Sequence, residues 1–124
     1  MQTLSPIDRL SGLIDRFGIR AQLHHTGALC GVSHFDACEG HGYLHVLRRG
    51  ELEVFHPNAK GVPKTLRFDE PAMLLYPNPL THHFANHPVS GSDFTCARLA
   101  FEGGTAHPLA KALPPLIALP LSKV

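Results

Sequence analysis

Beyond Gly18 the chain is cut so often by proline, glycine, asparagine and aspartate that no long helix fits. Eleven prolines and eleven glycines fall within 124 residues. Proline removes a backbone donor and fixes φ, and glycine weakens any helix that contains it. Between these breaks the apolar residues recur with period two, the spacing of a strand with one buried face. The pattern predicts strands near 19–25, 28–35, 43–48, 51–56, 64–68, 72–76, 82–86 and 94–102. Residues 43–55 read as a hairpin turning at Arg49-Gly50, with further turns at 57–61 and 88–92. Short strands spaced by roughly 8–12 residues predict an all-β sandwich or small barrel.

The two ends differ from this middle. Ser5 caps, Pro6 fits a first helical position, and Asp8 complements the positive end of a helix dipole. Ile7, Leu10, Leu13, Ile14 and Phe17 recur at three- and four-residue spacing, and Gly18 provides a stop, so an amphipathic N-terminal α-helix is expected. Gly12 weakens it at its middle. Near the other end, 108–113 reads as a short helical tail broken by Pro114-Pro115.

Length and charge bound the function. The 124 residues suggest one domain spanning 1–124, with 44% apolar residues to supply a core. Net charge is +1, so no basic field for gripping DNA is present. Cys30, Cys38 and Cys96 form an odd set without CxxC spacing, which argues against a zinc knuckle and for a reduced, cytoplasmic setting. No apolar run approaches the length of a membrane span, so no membrane partner is expected. No nucleophile elbow and no phosphate-cradling glycine loop occurs. Ten histidines are the unusual feature.

The order of these features resembles a cupin. Pro77, His82 and Asn86 fall at the spacing of the second cupin motif, with Pro71 and Pro79 in the places of its glycines. Counting back from Gly50, the first motif's two His and one Glu are replaced by Asp36, Cys38 and Tyr43. The closing block is the most specific part: Phe101-Glu102-Gly103-Gly104, then His107-Pro108-Leu109, then Ala112-Leu113-Pro114-Pro115. With the N-terminal helix it resembles the N-terminal regulatory domain of AraC-family transcription regulators, in their divergent cupin 6 branch. The resemblance implies a cupin barrel (a double-stranded β-helix or jelly roll) with an N-terminal α-helix and a short helical tail. It also implies an effector-sensing role and DNA contact only through helix-turn-helix motifs, which are absent from this chain.

Register with the motifs points to an effector pocket of Tyr43, His45, Leu47, His82 and Asn86. Alternation along 43–48 turns Tyr43, His45 and Leu47 to one side, and His82 to meet them. Imidazole and thiolate suit zinc or another divalent transition ion, so His45, His82, Cys38 and His41 are the candidate metal ligands. Of the adjacent pairs His24-His25 and His82-His83, at most one member each points inward. His34, His56, His87 and His107 sit near turns and are expected in solvent. Cys30 and Cys96 match cysteines of family members that sense oxidants, which makes them the redox candidates. A homodimer is expected from the resemblance and the proline-rich apolar tail. The expected function is a non-enzymatic sensor of a small molecule, metal or oxidant. Its rivals are a small metal-dependent cupin enzyme (dioxygenase or isomerase) and a free-standing metal-binding module.

Overall fold

Along β6 (Ala72–Tyr76) the side chains of Ala72, Leu74 and Tyr76 are fully buried, while Met73 and Leu75 are half-buried. This alternation repeats in most strands of the computed structural model, which describes residues 18–57 and 60–123. The other strands are β1 (Ile19–Leu29), β2 (Val32–Phe35), β3 (His41–Arg49), β4 (Leu52–Phe55), β5 (Thr65–Phe68), β7 (His82–Ala85), β8 (Ser92–Phe101) and β9 (Ile117–Pro120). Helix α1 (Pro108–Ala112) is a little over one turn, capped where His107 Nδ1 accepts from Leu109 N. The expected N-terminal helix lies outside the described residues.

The strands form two antiparallel sheets, a larger one ordered β1-β8-β3-β6-β9 and a smaller one ordered β2-β7-β4-β5. Their apposed faces enclose Phe35, Tyr43, Leu47, Leu52, Val54, Leu74, Tyr76, Phe84, Phe94 and Cys96. A second apolar cluster covers the outside of the larger sheet, where α1 contributes Ala110 and Leu109 against Leu44, Ala97, Leu99 and Phe101. Strand β3 is therefore buried on both faces from Gly42 to Leu47, and it reads as a run without exposed positions. This is an all-β, two-sheet architecture of the kind that the strand pattern and the cupin resemblance imply.

Three local expectations are corrected. Residues 43–55 are not a hairpin. β3 pairs with β8 and β6, whereas β4 pairs with β5 and β7, so the turn at Gly50 carries the chain from one sheet to the other. A register shift between Leu47 and Arg49 bends the end of β3 out of its sheet, and Gly50 takes φ 99° to complete the crossing. The break placed before residue 28 lies instead at Cys30-Gly31. β1 runs through Gly27 because the long β8 pairs with it from Phe101 to Ser92. Finally, β9 was not expected. It is an edge strand, paired only with β6, which is where a strand ending in Pro120 is tolerated.

Candidate functional site

The centre of the barrel is built from rings. Alternation on β3 sends Tyr43, His45 and Leu47 inward, and on β7 it sends His82 and Phe84 to meet them. Phe35 from β2 and Tyr76 from β6 close the cluster. Tyr76 and His82 stack at 4.0 Å with an interplanar angle of 9°, and Phe35 stacks on the other side of His82 at 5.1 Å. The turn before β7 is pinned from two sides. Asn78 Nδ2 donates to Ala110 O at 2.9 Å, and Thr81 Oγ1 accepts from Ala37 N at 3.0 Å. That turn presents Leu80 O to His82.

Hydrogen bonds to carbonyl oxygens fix the imidazole tautomers, because a carbonyl only accepts. His82 Nδ1 donates to Leu80 O at 2.7 Å, leaving Nε2 with a lone pair. His45 Nε2 donates to it at 2.8 Å. His45 Nδ1 is then a bare acceptor, fully buried and without a hydrogen-bond partner among the described residues. A second relay runs alongside. His56 Nδ1 donates to Pro63 O at 2.6 Å, and His56 Nε2 accepts from the Tyr76 hydroxyl at 2.8 Å. Burial holds the pKa of His45 well below the usual imidazole value, and the neighbouring His82 and His24 lower it further. Burial likewise lowers His82 to about 4, against the opposing pull of its bond to Leu80. Tyr76 is pushed up by burial, so its hydroxyl keeps its proton.

His45 and His82 therefore meet, in contact with Tyr43 and Tyr76. Asn86 does not join them. It sits at the end of β7, lining a surface cavity of about 420 Å³ with Glu51, Glu53, Arg67, His87 and Ser90. The four expected metal ligands divide into two pairs. Cys38 Sγ, in the loop before β3, lies 3.6 Å from Nδ1 of His41, the first residue of that strand, and no three His, Cys, Asp or Glu side chains among the described residues are placed to share an ion. A cupin metal centre of three His and a carboxylate does not fit these residues. The motif place of the carboxylate holds Tyr43, whose hydroxyl donates to Asp36 O at 3.0 Å.

The cysteines differ sharply. Cys96 is fully buried beside His45, and burial pushes its thiol up to about 12, the reverse of what a reactive thiolate requires. Cys30 is exposed, and its thiol donates to Val89 O at 3.7 Å. Two of the four histidines expected in solvent are not there. His56 is 2% exposed and His107 is 9% exposed, one bonded to Tyr76 and the other capping α1. Sequence reasoning missed His56 because it follows the last residue of β4, where proximity to a turn masks an inward direction. His34 and His87 are exposed. No helix among the described residues is long and apolar enough to cross a membrane.

No curated protein matches the chain. Among solved structures, ToxT from Vibrio cholerae O395 is similar at 7% identity and a TM-score of 0.49, over 82% of this chain and 39% of that one. Another crystal form of ToxT from Vibrio cholerae is similar at 6% identity and a TM-score of 0.43, over 68% and 31% respectively. The chain thus spans less than half the length of these proteins. The cupin 6 family model, described as Cupin, matches residues 8–123. With nearly the whole chain matched, the protein belongs to the cupin family.

Proposed function

We propose that this cupin is the effector-sensing domain of an AraC-type transcription regulator, that it works in the cytoplasm without catalysing a reaction, and that it takes a small molecule in the barrel. The observation carrying this reading is the bare Nδ1 of His45, a buried acceptor surrounded by aromatic faces. Leaving such an atom unpaired costs about 1–3 kcal/mol. An effector that offers one N–H or O–H to it and flat apolar surface to Tyr43, Leu47 and Phe84 recovers that cost. Entry requires the rings to part, so the effector binds one arrangement of the barrel better than the other. That differential affinity is what shifts an attached DNA-binding domain. The rival enzymatic reading has less support, because among the described residues no three side chains are placed as a metal centre with an open position.

The test is the reading frame after Val124 and the behaviour of its product. Continuation into two helix-turn-helix motifs, with a product whose DNA binding responds to effector and loses that response on His45→Leu, supports the proposal. A stop codon directly after Val124, or substrate turnover by the chain alone, overturns it.

A further inference from the structure

We propose that His34 and His83 form a two-imidazole site for a divalent transition ion of the nickel and copper class, on the outer face of the smaller sheet. The register of β2 and β7 sets His34 directly opposite His83. Their neighbours Phe35 and His82 face the barrel, so both of these rings face away from it. Opposed residues on paired antiparallel strands have Cβ atoms about 4.5–5.5 Å apart. The two rings accordingly meet edge to face, with centroids 4.3 Å apart and an interplanar angle of 71°. Among the described residues neither ring takes part in a hydrogen bond, so all four nitrogens are unclaimed. Metal–imidazole bonds are about 2.0–2.1 Å long, which calls for two nitrogens about 3 Å apart. Rotation about χ2 turns one nitrogen of each ring toward such a point without moving the backbone.

The surroundings define the ion. Neutral imidazole selects nickel, copper or zinc over magnesium or calcium, which want oxygen. Only two protein ligands are present, so water fills the remaining positions, a pattern suited to tetragonal nickel or copper. Strand β2 is the edge of its sheet and His34 is exposed, which leaves an open approach. On the other side Phe55, opposite His83 on β4, forms an apolar wall. His83 and His82 are adjacent on one strand and face opposite ways, so an ion outside adds positive charge next to the ring pair inside. This site is separate from the barrel interior and does not depend on the sensing role.

Ni²⁺ titration of the unmodified chain, followed by amide NMR, is the test. Paramagnetic broadening should centre on residues 32–35 and 82–85. The Kd for Ni²⁺ should rise at least tenfold in His34→Gln and in His83→Gln, and remain unchanged in His87→Gln, which alters an exposed histidine elsewhere. His34 is a surface position, so its variant keeps the fold. Broadening centred on any other histidine or on Cys38, or unchanged affinity in His34→Gln, overturns the proposal.

Discussion

His45 and His82 are uncharged because they are enclosed, and that makes acid their weakness. His82 titrates near 4 in the folded chain against 6.5 when free, and His45 is lowered as well. Between these values the unfolded chain binds more protons than the folded one. Stability is therefore complete above about pH 6.5 and falls as pH drops toward 4 and below, by up to about 1.4 kcal/mol per pH unit for each ring. Urea unfolding from pH 7.5 to 4.5 should show this decline. A midpoint that stays flat or rises on acidification would mean that the rings are charged in the folded barrel. The pairing of these two residues was legible in the sequence, since motif spacing placed one and alternation the other. Their direct bond was not legible, because it depends on Leu80 O fixing a tautomer. Asn86 and His56 were misplaced for a related reason: each lies just past the end of a strand, where alternation no longer dictates direction.

At the scale of elements, glycine shows which close approaches are structural. A Cβ on Gly42 in β3 would overlap the carbonyl oxygen of Tyr76, where β6 leaves the sheet. Gly40, just before the strand, has φ 80° but open space around it. Gly42→Ala should cost about 3 kcal/mol through overpacking. Gly40→Ala should cost about 1 kcal/mol through backbone strain alone. Denaturant unfolding of the two variants would reveal the order, and a larger loss for Gly40→Ala would contradict the packing described. Eight of the nine strands followed from period-two alternation between breaker residues. The ninth, β9, carries a proline and has few buried positions, so nothing local separates it from a loop. The false hairpin at Gly50 has the same origin. Alternation gives each strand its faces, but pairing between sheets is decided by distant partners.

Taken whole, the molecule has little net charge and, among its described residues, no long helix to place in a groove. DNA affinity rests on many phosphate contacts, so this chain alone should not bind duplex DNA at physiological salt. Fluorescence anisotropy with a labelled duplex checks this. Sub-micromolar binding that weakens steeply with added salt would contradict it. The order of the larger sheet has a further consequence for synthesis. β8 lies between β1 and β3, yet it is made after both. β1 therefore has no partner, and β3 lacks one of its two, until β8 has left the ribosome. At elongation speeds of about 5–20 residues per second that is on the order of ten seconds during which β1 stays unpaired. A ribosome that stalls upstream of β8 thus releases a chain whose longest strand, β1, has no partner and stays open to proteases.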